Sequence, residues 1–167
     1  MNFPDFYAAV PGITVYDPLA ELLGAPADGL LRYTFVDAVK LAGHACPTVA
    51  GAWLMSCAAL QQLYPDELPR RGAIRVEFPE PLSGGVTGVI ASIAGLLTGA
   101  AGEGGFKGLG GQHSRRHLLH FGVAGCTDVR FTRLDSGLRI ACQLDLSRIP
   151  VDPAIPGLLG SLLQAPG

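Results

Sequence analysis

The feature that most constrains the fold is an apolar segment over residues 48–64, which follows Pro47 directly and stops before Pro65. Apolar residues occupy nearly the whole circumference of the helix that this segment would form, which is typical of a core element. Pro47 suits the first turn of such a helix because that position needs no backbone N–H donor. The sequence therefore predicts a buried helix here.

Further helices are predicted on both sides of this core helix. Asp17 and Pro18 supply an N-cap and a first-turn proline for a short helix that reaches about Leu23. A second helix is expected to stop at Gly43, as a helix does at a glycine just past its C-terminus. The longer helical segments are about residues 31–41, 85–98 and 153–164.

Strand signals are concentrated in the second half of the chain. Residues 73–78 alternate apolar and charged side chains, as a half-buried strand does. Residues 127–133 and 137–146 predict two strands joined by a turn, and residues 118–123 predict another. Because helices come first and strands follow, the pattern predicts an α+β fold with N-terminal helices packed on a mainly antiparallel sheet.

The length favours one domain. We expect a single domain over residues 1–167, with an irregular N-terminal arm at 1–15 and a core of about 30–146. The first 16 residues lack the basic region of a signal peptide, which predicts a cytoplasmic protein with reduced thiols. Residues 82–102 carry no charge but include six glycines, which favours a helix in a soluble core over a membrane span.

Charge limits the classes of partner. The net charge of −2 argues against nucleic-acid binding, and the Arg70-Arg71 and Arg115-Arg116 pairs are interpreted as solvated surface or local ion pairs. Charged residues make up only 16% of the chain, which suggests surface hidden in an oligomer. A small-residue face at Gly88, Ser92 and Gly95 supports the same view. We therefore expect a homodimer.

The candidate chemical site is the turn before the core helix, where His44 and Cys46 lie two residues apart. Imidazole nitrogen and thiolate sulfur both suit a borderline metal such as zinc. Cys46 is predicted at a helix N-cap, where the partial positive charge favours the thiolate. The remaining ligands would come from His113, an acidic residue such as Asp37 or Glu77, water, or a second copy of the chain.

A glycine-rich loop at residues 99–111 is the second candidate, with seven glycines in thirteen positions. It fits neither a Walker A motif nor the dinucleotide-binding fingerprint. We expect this loop to fold back toward His44 and Cys46, because so many glycines are best justified by close approach to a ligand. Lys107 would then bind an anionic group of a small-molecule substrate, with Glu103 and His113 at the rim of the pocket.

The His44-Ala45-Cys46-Pro47 turn, Thr98-Gly99 and Lys107-Gly108 together resemble the formylmethanofuran dehydrogenase E-subunit family. The resemblance covers about residues 30–145 and implies an α+β fold, dimerisation, His44 and Cys46 as metal-site residues, and Lys107 as a pocket residue. The chain departs from the family pattern at Ala42, at Ala100 and over residues 89–95, where expected His, Cys and Asp residues are missing. The C-terminal zinc module of some members is missing too. The resemblance therefore identifies no reaction.

Three functions follow from these residues. The first is a metal-binding protein, with zinc favoured and with an open position that permits Lewis-acid or bound-water chemistry. The second is a haem- or other cofactor-binding module that uses Cys46-Pro47. The third is an enzyme with Cys46 as nucleophile and His44 as base. The sequence assigns no catalytic residue beyond these alternatives.

Overall fold

The computed structural model describes residues 2–165, and its centre is a long buried helix. The helices are α1 (Pro18–Leu22), α2 (Phe35–Ala42), α3 (Pro47–Leu63), α4 (Thr87–Thr98) and α5 (Ile155–Gln164). A 3-10 helix at Asp5–Ala9 precedes them. The central element α3 packs against α2 and α4 and against strands of the main sheet.

Within residues 2–165, six strands form two sheets. They are β1 (Ile13–Tyr16), β2 (Leu30–Tyr33), β3 (Ile74–Glu77), β4 (Leu119–His120), β5 (Val129–Arg133) and β6 (Arg139–Cys142). Strands β1 and β2 pair as an antiparallel ribbon, and the four-stranded sheet has the order β4-β3-β5-β6. Only the β3–β4 pairing in that sheet is parallel. The predicted α+β class with a mainly antiparallel sheet is confirmed.

Alternation along the strands gives the main sheet one apolar and one polar face. Val76, Phe131 and Ile140 are cross-strand neighbours. Val76 and Phe131 are fully buried, in the core to which α3 and α4 also contribute. On the other face, Glu77 lies opposite Arg130 and forms an ion pair with it. Successive side chains of a strand point to opposite faces, so the apolar side chains lie on one face of the sheet and the ion pair lies on the other.

The predictions for the N-terminal third are partly wrong. The arm at residues 1–15 is not irregular, because it contains the 3-10 helix and most of β1. The helix expected over residues 31–41 begins only at Phe35, after β2. A four-residue strand takes its hydrogen bonds from a partner distant in sequence, so helical spacing of Leu31 and Phe35 did not reveal it. The carboxylate of Asp37 accepts hydrogen bonds from the Thr34 amide and hydroxyl, and this marks the true start of α2.

The other predicted elements are present, although the strands predicted over residues 118–123 and 137–146 are shorter than expected, at Leu119–His120 and Arg139–Cys142. Asp17 caps α1 by accepting from the Leu19 and Ala20 amides, and Gly43 ends α2 with φ of 77°. The uncharged segment forms α4, which is largely buried in the core. Among residues 2–165, no helix has both the length and the apolar character needed to cross a membrane. The terminal helix α5 has no buried residue.

Candidate functional site

The turn between α2 and α3 holds the two candidate metal ligands. Gly43 adopts the left-handed conformation that ends α2, and Pro47 occupies the first turn of α3. These two residues fix the chain direction on either side of His44 and Cys46. Cys46 is the N-cap residue of α3, as the sequence predicts, although its side chain makes no cap hydrogen bond of ordinary geometry.

The imidazole of His44 has a defined orientation although it is exposed. Its Nδ1 lies 2.9 Å from the Ala42 carbonyl oxygen. Because a carbonyl only accepts, Nδ1 carries the proton in this bond, and Nε2 of the neutral ring is left as a free acceptor. The hydrogen bond to Ala42, and then the neighbouring Cys46 sulfur, raise the pKa of His44 above its ordinary value.

The thiol of Cys46 is half-buried and shifted toward the thiolate form. Burial raises the pKa of Cys46, but the amides of Val49 and Thr48 and the side chain of His44 outweigh it and hold the pKa below its ordinary value. The first-turn amides act here as the positive end of the helix dipole. The turn therefore favours a thiolate next to an imidazole with a raised pKa, which is a donor pair for a soft cation or a reactive pair for an electrophile.

An apolar cavity of about 480 Å³ opens beside Cys46. Phe6 and Tyr7 of the 3-10 helix form one side of it, while Phe35 and Leu54 contribute from α2 and α3. The Tyr7 and Phe35 rings meet edge to face, with their centroids 5.1 Å apart. This volume is within the range of small-molecule sites, so the thiol adjoins space for an apolar group.

The glycine-rich loop makes backbone hydrogen bonds with the segment that follows it. The amide of Ala101 donates to Arg115, the amide of Arg115 donates to Phe106, and Leu109 and Gln112 exchange two backbone hydrogen bonds. Lys107 and Glu103 are exposed, and neither side chain has a hydrogen bond or ion pair within residues 2–165. No residue of 99–111 lines the cavity beside Cys46.

His113 does not line the cavity beside Cys46, although we expected it near the His44–Cys46 turn. It lines a second cavity of about 450 Å³ together with Arg70, Arg71 and Arg115. The linings of this cavity and of the one beside Cys46 have no residue in common. The structure therefore groups His113 with arginines, and it groups Cys46 with His44.

The acidic residues considered as further ligands are engaged elsewhere. Asp37 caps the first turn of α2, at the opposite end of that helix from His44. Glu77 accepts two hydrogen bonds from Arg130, and these hold the pKa of Glu77 below its ordinary value. In the part of the chain that the structure describes, no group of three or more His, Cys, Asp or Glu side chains is arranged to hold a metal ion.

The remaining histidines and cysteines do not extend the turn. His113 and His117 both have positive φ and belong to no helix, so their spacing of four does not place them on one helical face. Burial raises the pKa of Cys57 to about 12, which suits a structural thiol. Cys126 makes a hydrogen bond to the Asp128 carbonyl oxygen at 2.9 Å.

Sequence reasoning missed the ion-pair network around Asp17. The side chain of Asp17 is 3% exposed, and its carboxylate forms ion pairs with Arg71 at 2.8 Å and with Arg115 at 2.6 Å. The three residues are far apart in sequence, and the role of helix cap is sufficient to explain an aspartate at position 17. The interpretation as solvated surface or local ion pairs is wrong for Arg71 and Arg115, because their shared partner is distant in sequence and the Arg115 side chain is buried.

Comparisons with protein-family models, with curated proteins and with solved structures give no match for this chain.

Proposed function

We propose that this chain is a metal-binding protein in which His44 and Cys46 supply two ligands, with zinc as the favoured ion. The hydrogen bond from His44 Nδ1 to the Ala42 carbonyl is the observation that carries this proposal. Histidine ligands are commonly oriented in this way, with one nitrogen bound to a carbonyl and the other presented to the metal.

The donor set fits zinc. A thiolate and a neutral imidazole are the ligands of many zinc sites, and metal binding requires the sulfur in its deprotonated form. The lowered pKa of Cys46 makes that form more accessible at neutral pH. With an open position, the ion would supply Lewis-acid or bound-water chemistry.

We propose that a second copy of the chain or water completes the coordination. Asp37 and Glu77 are committed to other partners, and His113 lines a different cavity. The surface near the turn supports pairing of two copies, because Leu41 and Leu54 are 51% and 52% exposed. A symmetric dimer would bring two His-Cys pairs together and give two sulfur and two nitrogen ligands. We further propose a cytoplasmic location and similarity to the formylmethanofuran dehydrogenase E-subunit family, on the turn and loop residues described above.

Metal content tests this function. Protein purified without chelators is analysed for zinc per chain, together with His44→Ala, Cys46→Ser and the matched control Cys126→Ser. We expect zinc in the wild type and in the control, with loss from both turn variants while circular dichroism stays unchanged. Equal zinc content in all four proteins would exclude the turn as the binding site.

A thiol-nucleophile function is the second candidate, because the lowered pKa of Cys46 occurs next to a cavity that could receive a substrate. His44 would accept the thiol proton, and the resulting thiolate would attack an electrophile. The pH dependence of alkylation by iodoacetamide measures this directly. A midpoint below the ordinary thiol value that rises in His44→Ala supports the pair, whereas a midpoint unchanged by that substitution argues against it.

Haem binding through Cys46-Pro47 is tested on the same sample. A Soret band that disappears in Cys46→Ser would favour the haem alternative over zinc. Stoichiometric zinc with a featureless visible spectrum would favour the metal site proposed above.

A further inference from the structure

The arginine-lined cavity is independent of the His44–Cys46 turn. It has a volume of about 450 Å³, and its lining combines Arg70, Arg71, Arg115 and His113. Three arginines line this one cavity although the chain as a whole has a net charge of −2. Such a concentration of positive charge requires an explanation beyond general solubility.

Intramolecular ion pairs compensate only part of this charge. Arg71 and Arg115 share a single carboxylate, that of Asp17, so one positive charge of this trio is left over. Arg70 has no ion-pair partner within residues 2–165 and adds a second. Asp135 also lines the cavity, and its carboxylate accepts two hydrogen bonds from Arg133, which is shared with Glu67. The wall formed by the three arginines is therefore positively charged.

The Arg115 side chain is buried against two glycines, Gly72 and Gly99, where a Cβ would collide with it. This side chain is 7% exposed, and Nε and Nη1 are buried with no hydrogen-bond partner in the described residues. A Cβ at Gly72 would lie 1.6 Å from Nη1, and one at Gly99 would lie 2.9 Å from it. Burying a charge whose donors are incompletely paired is costly and is weak evidence for a purely stabilising role. Pairing with Asp17 therefore leaves two donor nitrogens of Arg115 without a partner within residues 2–165.

Backbone conformation at the cavity supports the same interpretation. His113 has φ of 57°, a region that residues with a Cβ rarely adopt. Strained residues of this kind are concentrated at ligand sites, where the surrounding structure holds the side chain in place. His113 lines the arginine-lined cavity, so this backbone conformation occurs at the wall of the cavity.

We propose that this cavity binds the phosphate group of a small phosphorylated molecule. Phosphate is a dianion with several acceptor oxygens, and arginine binds it through paired, charge-assisted hydrogen bonds. Arg70 and Arg71 come from the segment before β3, whereas His113 and Arg115 come from the segment that follows the glycine-rich loop. Donors from two segments approach a bound group from different sides. A tetrahedral phosphate can accept hydrogen bonds from all of these sides, whereas a planar carboxylate would accept fewer of them. The volume leaves room for the organic part of the ligand.

Calorimetric titration with inorganic phosphate tests the proposal, with sodium chloride at equal ionic strength as the reference and succinate as a carboxylate probe. The variant is Arg70→Gln, because Arg70 is exposed and unpaired and its loss leaves the Asp17 network intact. The matched control is Arg139→Gln, which removes one exposed arginine of β6 that does not line the cavity.

We expect the wild type and Arg139→Gln to bind phosphate alike, and Arg70→Gln to bind it about tenfold more weakly, as loss of a charge-assisted hydrogen bond implies. Equal affinity of both variants, or no binding by the wild type beyond the chloride reference, would overturn the proposal and leave the arginines with a structural role. Tighter binding of succinate than of phosphate would overturn the ligand class. Zinc content, which tests the His44–Cys46 site, is independent of all these outcomes.

Discussion

Replacing Asp17 with asparagine would remove the shared negative charge between Arg71 and Arg115. Asparagine is as good an N-cap as aspartate, so the cap on α1 survives and the substitution isolates the charge. In the wild type, the Asp17 side chain is 3% exposed, and its carboxylate accepts hydrogen bonds from Arg71 at 2.8 Å and from Arg115 at 2.6 Å. In the variant, two guanidinium groups would face each other without compensation.

The expected loss follows from the burial of the partners. Removing one member of a buried ion pair costs about 3–5 kcal/mol, since the remaining charge stays buried without a partner. The side chain of Arg71 is 23% exposed and can be partly solvated, whereas that of Arg115 is 7% exposed. We therefore expect the free energy of unfolding to fall by about 3 kcal/mol, at the lower end of this range. For a domain of this size, this loss corresponds to a fall in Tm of about 6–12 °C.

Urea unfolding followed by tryptophan fluorescence measures the change. Trp53 is the single tryptophan and is fully buried, so its emission reports loss of the core around α3. Asp66→Asn is the matched control, since Asp66 is exposed and unpaired within the described residues, and it should stay within about 0.5 kcal/mol of the wild type. A loss below about 1 kcal/mol for Asp17→Asn at unchanged m-value would refute the conclusion that the network is buried and unscreened.

The pH dependence of stability provides a second measurement on the wild type and Asp17→Asn. Burial raises the pKa of Asp17, but Arg71 and Arg115 outweigh it and hold the pKa below its ordinary value of 3.8. A carboxylate with a depressed folded-state pKa contributes stability that is fully present above the unfolded-state value and is lost as pH falls through the folded-state value. The stability difference between wild type and Asp17→Asn should thus shrink below about pH 4. A difference independent of pH would show that charge is not its cause.

Three further outcomes are expected. Gly72→Ala should lose about 2 kcal/mol in urea unfolding, because φ is +84° and the new Cβ would lie 1.6 Å from Nη1 of Arg115; wild-type stability would contradict this packing. In native protein, an aromatic disulfide reagent should react with Cys46 and spare Cys57, whose pKa burial raises to about 12; equal rates would contradict the assigned burial. Light scattering should give the mass of a dimer, and a mass near 17.3 kDa at all micromolar concentrations would exclude the proposed pairing of two copies.

The local part of the candidate site could be predicted from sequence. Gly43 and Pro47 determine the end of one helix and the start of the next through their own backbone preferences. His44 and Cys46 are then only two residues apart, so their proximity needs no information from the rest of the chain. The same reasoning located α3, because its apolar circumference is a property of one continuous segment.

Only the tertiary structure decided which distant residues meet. Helical spacing concealed β2, which exists because β1 supplies its hydrogen bonds. Proximity in sequence suggested that His113 belongs with Lys107 and the His44–Cys46 turn, yet the return of the loop toward β4 places His113 beside arginines from the segment before β3. Asp17 caps α1 and also pairs with two arginines. The sequence reveals only the cap, because the amides that the carboxylate caps belong to the next three residues. The ion pairs depend on the relative positions of α1, β3 and the loop, which are fixed by packing of the whole core.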